Sequence, residues 1–208
     1  MKTVFFIFCS ISFIFAQHNI PFASKNNAIE LTITNASSIG ASDIMIVVSN
    51  MPTWLKFANS KSIISGMKAN ETGTVTFAFE VDKTAPVNKP EKVSFAISNS
   101  RGEMWGKTLL LQVSPPEKFE LFQNYPNPFN PSTTISYLVP TASNVSLKVY
   151  DILGKEVATL DEGMKEPGYH QKEWNAGNIA SGMYIYQLAT MNSEGKKEFY
   201  RKKMLLLK

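Results

Sequence analysis

The side chains that could do chemistry are few and scattered in the first half of this chain. His18 is the one histidine there, in an N-terminal segment that we expect to be mobile, where it would make a poor catalytic base. The sequence contains no Gly-x-Ser-x-Gly elbow, no His-Glu-x-x-His zinc helix and no glycine-rich phosphate loop. Its carboxylates are spread over separate predicted strands and turns, among them Asp43, Glu71, Glu80, Asp82, Glu91 and Glu103. We therefore predict a non-enzymatic protein with no catalytic residue, no metal site and no cofactor.

Aromatic side chains offer a binding function instead. The segment Met-Pro-Thr-Trp-Leu-Lys-Phe at residues 51–57 is the most distinctive in this half. Its Trp54 is expected to cap a core from a loop, because tryptophan is usually mostly buried. If the ring of Trp54 or Trp105 faces solvent, it would instead form a platform for a sugar or a peptide. The sequence leaves both interpretations open.

The N-terminus has the pattern of a secretory signal peptide at residues 1–16. Lys2 precedes an apolar run from Val4 to Phe15, and Ala16 supplies the small residue before a cleavage point. A transmembrane helix needs ~20 apolar residues, so this run is too short to be one. Cys9 is the only cysteine, so each exported domain must depend on an apolar core and not on disulfides. The formal net charge of +4 is too small to indicate a nucleic-acid partner.

Strict alternation of apolar and polar residues predicts β-strands upstream of residue 115. The alternation is clear around Leu31, Phe77 and Phe95, and further strands are expected at 44–48 and 105–113. Turn residues separate these runs, and no window of helical period competes with them. Short strands at this spacing predict an antiparallel, immunoglobulin-like β-sandwich over residues 17–115.

Two consecutive prolines, Pro115 and Pro116, mark a domain boundary because they stiffen the chain and cannot extend a sheet. Beyond them the β pattern resumes, which predicts a second sandwich over residues 116–208. Gly154 is expected at a two-residue hairpin turn with positive φ, and Gly168 and Gly182 are expected at turns before strands. Its strands are predicted at 133–138, 145–150, 156–160, 169–174, 182–190 and 197–207. The predicted fold is all-β, with two antiparallel sandwiches in tandem after the signal peptide.

Five sequence blocks in this second domain carry a family resemblance. They begin with the Asn-Tyr-Pro-Asn-Pro-Phe-Asn-Pro block, continue through three glycine-centred blocks, and finish with a Lys-Met-Leu-Leu-Leu-Lys ending. In this order and spacing, residues 119–208 resemble the type A C-terminal sorting domain of type IX secretion substrates. The residue-by-residue match gives these sorting-signal positions: Asn124, Tyr125, Pro126, Asn127, Pro128, Phe129, Asn130, Pro131, Gly154, Gly168, Gly182, Lys203, Met204, Leu206 and Lys208.

The resemblance implies a route and partners. Such a protein crosses to the periplasm, folds there, and is recognised by an outer-membrane type IX translocon; a sortase-like peptidase usually removes the tail, often with attachment to a surface lipopolysaccharide. A secreted or cell-surface location follows. In the opening block, we expect the prolines to hold an extended segment and the aromatic residues to pack it onto the sandwich. The sequence departs from the family in a longer, more charged final hairpin around 192–203, which leaves the pairing of the last strand open.

The first domain has three alternative roles. It could be a glycan- or protein-binding surface module, similar to an adhesin. It could be part of a structural envelope protein that retains both domains and associates through sheet edges. It could also be the terminal remnant of a larger secreted enzyme. The segment at 51–57 resembles, weakly, a strand connection of immunoglobulin-like modules, which fits each of these roles.

Overall fold

The computed structural model of the chain describes residues 7–8, 18–191, 195 and 197–208. Apart from residues 7–8, the predicted signal peptide lies outside the described residues. The chain separates into two compact units, Met1–Ser114 and Pro115–Lys208. Among the described residues, none belongs to a helix long and apolar enough to cross a bilayer. Each unit is built from strands, as the alternating sequence patterns predict.

The first unit is built from two sheets. The four-stranded sheet has the order β1-β3-β7-β5 and the five-stranded sheet the order β2-β9-β8-β4-β6. Neighbouring strands are antiparallel except β2 and β9, which are parallel. The strand bounds are β1 Ile7–Phe8, β2 His18–Ile20, β3 Asn27–Asn35, β4 Ala41–Asn50, β5 Leu55–Phe57, β6 Lys61–Met67, β7 Thr72–Val81, β8 Pro90–Ser98 and β9 Met104–Val113.

The core of the first unit lies between these two sheets. The inward residues of β7 and β8 are the alternating apolar positions of the sequence, and they are buried. Phe77 on one sheet and Phe95 on the other meet with their ring centroids 5.3 Å apart. Phe57 stands edge-on to both rings. A two-layer β-sandwich follows, consistent with an immunoglobulin-like module.

The second unit is a smaller sandwich of the same kind. A three-stranded sheet has the order β10-β11-β14 and a four-stranded sheet the order β13-β12-β15-β16. Trp174 of one sheet and Tyr184 of the other pack edge to face, 6.0 Å between ring centroids. The strand bounds are β10 Glu120–Leu121, β11 Ser132–Val139, β12 Ser143–Tyr150, β13 Glu156–Lys165, β14 Gly168–Asn175, β15 Gly182–Met191 and β16 Lys197–Leu206. The predicted all-β fold with two sandwiches is confirmed.

Some local expectations require correction. His18 does not lie in a loose segment: it is half-buried in β2, which pairs with β9 opposite Leu111. Strand β6 was not predicted, because its apolar residues Ile63 and Ile64 are adjacent and do not alternate with polar residues. The pairing of the last strand, which the sequence left open, is regular from Gly182 opposite Leu206 onward. Residues 192–194 and 196 of its hairpin lie outside the described part of the chain.

Candidate functional site

Asn124 anchors the start of the opening block inside the second unit. Its side chain is buried and its Nδ2 donates to the Pro126 carbonyl at 3.0 Å and to Thr133 Oγ1 at 2.9 Å. Its backbone N–H donates to the Tyr186 hydroxyl at 2.9 Å, and that hydroxyl donates to the Phe122 carbonyl at 2.8 Å. Tyr186 is fully buried, and burial raises the pKa of its phenol to about 12. A neutral tyrosine hydroxyl therefore joins the first residue of the opening block, and Phe122 just before the block, to the core.

Phe129 anchors the other end of the block. Its side chain is only 2% exposed and packs on Trp174, with 5.6 Å between ring centroids. Its backbone N–H donates to the Leu205 carbonyl, and its carbonyl accepts from the Leu207 N–H, both at 3.0 Å. Phe129 thus forms a parallel bridge with Leu206 on the last strand. The bridge joins residues that are nearly eighty positions apart in the sequence.

The side chains of Asn127, in the opening block, and of Gln123, just before it, complete the contact with β16. Asn127 Oδ1 accepts from the Leu205 N–H at 2.9 Å, and Gln123 Nε2 donates to the Lys203 carbonyl at 2.8 Å. These backbone groups lie on the free edge of the sheet, because β16 is its last strand. An uncovered edge would offer unpaired donors and acceptors to other chains. The opening block therefore covers the C-terminal half of that edge.

The terminal residues alternate between core and solvent. Met204 and Leu206 are buried in the sandwich, whereas Lys203 and Lys208 are exposed. Lys208 Nζ donates to the Gly177 carbonyl at 2.8 Å. The structure therefore gives the predicted terminal positions two different physical roles: apolar anchors in the core and basic groups at the surface.

The glycine positions belong to turns and strand starts, but one expectation was wrong in detail. Gly154 has φ +83°, which favours glycine, yet the loop between β12 and β13 spans residues 151–155 and is not a two-residue turn. Asp151 Oδ1 organises this loop by accepting from the N–H groups of Leu153 and Lys155, both at 2.9 Å. Gly168 and Gly182 begin β14 and β15.

Strand register places most of the predicted positions at one end of the second sandwich. Gly182 pairs with Leu206, which bridges to Phe129. Tyr150, the last residue before the Gly154 loop, pairs with Ile185, three positions from Gly182. The opening block, the Gly154 loop, the start of β15 and the chain terminus therefore share this end, here called the sorting end. Gly168 pairs with Val139 at the opposite end and is the exception.

The expectation that both aromatic residues of the opening block pack on the sandwich is wrong for Tyr125. Its backbone is fixed by hydrogen bonds to and from Thr134, but its side chain is 82% exposed. The adjacent Pro126, Asn127 and Pro128 are also exposed. Only Phe129 provides the predicted packing. The block therefore holds an aromatic ring in solvent on a fixed backbone.

The sequence did not single out the buried carboxylate of Asp161. Asp161 accepts from the Tyr137 hydroxyl at 2.8 Å and forms an ion pair with Lys165 at 2.6 Å. Burial acts to raise the pKa of Asp161, but the hydrogen bonds from Lys165 and Tyr137 outweigh it and hold the pKa below its usual value. The contact joins β13 to β11 of the facing sheet. It stabilises the sandwich.

The two candidate platform tryptophans have different environments. Trp54 is only 5% exposed and belongs to the core of the first unit, so it offers no free face for stacking. The interpretation of Trp54 as a ligand platform is therefore corrected by its burial. Trp105 on β9 is half-buried and packs partly against the same core. Among the described residues, no group of three or more His, Cys, Asp or Glu side chains could hold a metal ion.

The comparisons with known proteins agree with the sequence blocks. Residues 123–202 match the family model described as the secretion system C-terminal sorting domain. No curated protein matches the chain.

Solved structures that resemble the chain do so weakly. One is dimeric latent PorU from Porphyromonas gingivalis, at 15% identity and TM-score 0.37, covering 98% of this chain and 20% of that one. Another is a protein of unknown function from Porphyromonas gingivalis W83, at 11% identity and TM-score 0.38, covering 90% and 95% of the two chains. A third is the CupB2 chaperone of Pseudomonas aeruginosa, at 12% identity and TM-score 0.31, covering 89% and 96%. This chain thus spans about a fifth of the PorU chain.

The functional assignment consequently depends on the family match and on the residues above, not on these weak structural similarities. The family match begins at Gln123 and ends at Lys202, inside the second sandwich. The second unit of this chain belongs to the C-terminal sorting domains of type IX secretion substrates.

Proposed function

We propose that this chain is a secreted or cell-surface protein without enzymatic activity, whose second unit directs its export through the type IX secretion system. The observation that carries the proposal is the family match at residues 123–202, supported by the position of most of its blocks at the sorting end. The first unit is the exported cargo. The interaction partners of the second unit are the outer-membrane translocon and a sortase-like peptidase.

The export part of the proposal is tested by fusing the second unit to another protein. Residues 115–208 are fused to a monomeric passenger protein and expressed, behind a periplasmic signal peptide, in a bacterium with a working type IX system. The passenger should reach the medium or the cell surface, and it should stay in the periplasm of a strain without the translocon. A passenger that remains periplasmic in the competent strain contradicts the proposal. Mass spectrometry of the termini then shows whether the tail is removed or retained, as a structural envelope protein would retain it.

The lack of catalysis is supported by the arrangement of the acidic residues in the first unit. Asp82, for example, is engaged with Lys56 and with Thr84 at the end of β7 and is not part of a carboxylate pair. The hydrogen bond from Lys56 is the largest cause that lowers the pKa of Asp82 to about 2. That carboxylate is permanently ionised at neutral pH, so it is unsuited to donate a proton. Hydrolysis of polysaccharides or peptides by purified protein, lost on mutation of first-unit carboxylates, would refute this part.

The second candidate function is ligand binding by the first unit. Of the two candidate tryptophans, Trp105 and not Trp54 has a position that favours this role. The Trp105 ring is half-buried on β9, opposite Ile97 of β8, so part of it is open to solvent. An aromatic ring that is partly open to solvent can contact a sugar or a peptide. A glycan- or peptide-array signal that disappears in Trp105→Ala, while thermal unfolding is unchanged, supports a binding module. An array with no signal for the wild-type protein counts against it.

A further inference from the structure

The outward face of the four-stranded sheet in the second unit contains a recess. On β12 and β15 the core-facing residues alternate with Ser146 and Ala189, which therefore point away from the core. These two residues pair directly; Ser146 also pairs with Glu162 on β13, and Ala189 pairs with Phe199 on β16. Residues that pair directly have their side chains on the same face of a sheet. One row across the sheet thus places two small side chains between two large ones.

The neighbouring row closes one side of the recess. Asn144 on β12 pairs with Met191 on β15, and Met191 pairs with Lys197 on β16. Together with Glu162 and Phe199, these side chains surround a cavity of about 250 Å³. Small-molecule pockets usually measure about 300–1,000 Å³, so this one suits a single ring and not an extended ligand.

A buried hydroxyl lies at the floor of the recess. Ser146 Oγ is buried and has no hydrogen-bond partner within the part of the chain that the structure describes. Buried polar groups nearly always have a partner, so an unpaired one calls for an explanation. A serine hydroxyl donates as well as accepts. A ligand hydroxyl that reaches the floor of the recess can therefore pair with it in either sense.

The walls of the recess carry one charge of each sign. Glu162 and Lys197 lie on the two outer strands of the sheet, with β12 and β15 between them. Among the described ion pairs, none involves either of these two residues. Lys148, in the row on the other side of Ser146, is balanced by Glu156, whose carboxylate lies 2.9 Å away. The charges that line the recess therefore cancel, which favours a ligand without net charge.

Phe199 provides the apolar wall. Its side chain is 53% exposed, so much of the ring is open to a ligand. Arg201, two positions along β16 on the side away from Lys197, lies with its Cζ 5.6 Å from the centroid of this ring. Arg201 Nε also donates to Gln187 Oε1 at 2.6 Å. The arginine thus contacts the ring from outside the recess and helps to fix its position.

We propose that this recess binds one neutral sugar ring, as a free monosaccharide or as the terminal unit of a glycan. A sugar ring has a face of C–H groups that can pack on Phe199. Its hydroxyls both donate and accept, so they can pair with the hydroxyl, amide, carboxylate and ammonium groups of the recess. An apolar ligand would leave Ser146 Oγ unpaired, and an ion would meet a like charge at Glu162 or Lys197. This binding goes beyond the proposed export function and does not depend on it.

The test measures sugar binding by the purified protein in two ways. Saturation-transfer difference NMR uses a panel of neutral methyl pyranosides, namely those of glucose, galactose, mannose, fucose and N-acetylglucosamine. A glycan array presents the same sugars as terminal units.

Two variants change the recess and a third is the control. Ser146→Val removes the floor hydroxyl, and Phe199→Thr removes the aromatic wall. Met183→Thr is the control, because Met183 is 48% exposed on the same face of β15, toward its other end. Thermal unfolding should change little in Phe199→Thr and in the control, since both side chains are exposed. The midpoint of Ser146→Val should be equal or higher, because an unpaired buried hydroxyl is lost and valine favours strands.

At least one neutral sugar should bind the wild-type protein with a millimolar dissociation constant. Ser146→Val and Phe199→Thr should each weaken this binding at least tenfold, and Met183→Thr should not change it. A signal with free pyranosides shows that the ring itself is recognised; a signal on the array alone, lost in the same two variants, shows that a terminal unit of a glycan is recognised. If the wild type gives no signal in either assay, or if the folded recess variants bind as well as the wild type, the inference is overturned. It is overturned as well if leucine, a zwitterion offered in the same NMR assay, binds in the recess and no sugar does.

Discussion

The hydroxyl of Tyr186 provides the sharpest test of how the opening block is held. Replacing Tyr186 with phenylalanine removes one oxygen atom and keeps the ring in the core. It leaves the buried Asn124 N–H without its acceptor and the partly buried Phe122 carbonyl without its donor. A buried donor left unpaired costs about 1–3 kcal/mol and an ordinary hydrogen bond about 1 kcal/mol, so the second unit should lose about 2–4 kcal/mol of unfolding free energy.

Tyr184→Phe is the matched control. The Tyr184 hydroxyl makes a single hydrogen bond, to the partly buried Ala180 carbonyl at 2.7 Å, on the same strand as Tyr186. Its loss should cost about 0.5–1.5 kcal/mol. The two variants therefore differ in the number of backbone groups that each hydroxyl satisfies, while the chemical change is the same.

Native-state hydrogen exchange with peptide-level mass spectrometry is the suitable assay, because the two units can be followed separately. The slowest amides of β11 and β15 should exchange about 30-fold or more faster in Tyr186→Phe, since every 1.4 kcal/mol is a factor of ten. Those of the first unit should not change. If Tyr186→Phe accelerates exchange no more than Tyr184→Phe does, the opening block is not held by this hydroxyl and the reasoning is refuted.

Three further predictions concern the stability of the second unit. Asp161→Asn should destabilise it by about 1–3 kcal/mol at neutral pH, because the Tyr137 hydroxyl, Lys165 and Lys172, whose Nζ lies 3.6 Å from Asp161 Oδ1, lose their carboxylate. In urea titrations the difference should shrink as the pH falls through the lowered pKa of Asp161, and a pH-independent difference would contradict the assignment. The pKa values of Tyr186 and Tyr200 are raised to about 12. The neutral phenols of Tyr186, which is buried, and Tyr200, which is half-buried, stabilise the fold fully below pH 10. This contribution should be lost between about pH 10 and 12, as followed by circular dichroism; stability that is flat through this interval would argue against phenols that burial keeps neutral. Gly154→Ala should cost about 1 kcal/mol in thermal unfolding because φ is +83°, and an unchanged midpoint would mean that the loop has another conformation.

The fold could be predicted from sequence where burial follows the two-residue period. Leu31, Phe77 and Phe95 are buried at alternate positions of long strands, and the sequence shows each of them. The short strands β2, β5 and β10 have two or three residues, too few for any period to appear. They depend on neighbouring strands that are distant in sequence.

The site was predictable in its residues but not in its geometry. The family blocks identify Asn124 and Phe129, yet nothing local shows that Phe129 bridges to Leu206. Asp161 was missed because β13 contains a bulge: Leu147 faces Asp161 while Lys148 faces Thr159, so Leu160 has no partner. The extra residue changes which face Asp161 occupies, and simple alternation cannot follow that change.

The most direct measurement of the central claim is the location of the intact chain and of a truncation ending at Ser114, in a type IX-competent bacterium and in a translocon-deficient strain of it. The truncation keeps the whole first unit, so its fold should be preserved. We expect that the intact chain reaches the surface or the medium of the competent strain only, and that the truncation stays in the periplasm of both. Equal export of the truncation, or retention of the intact chain in the competent strain, would contradict it.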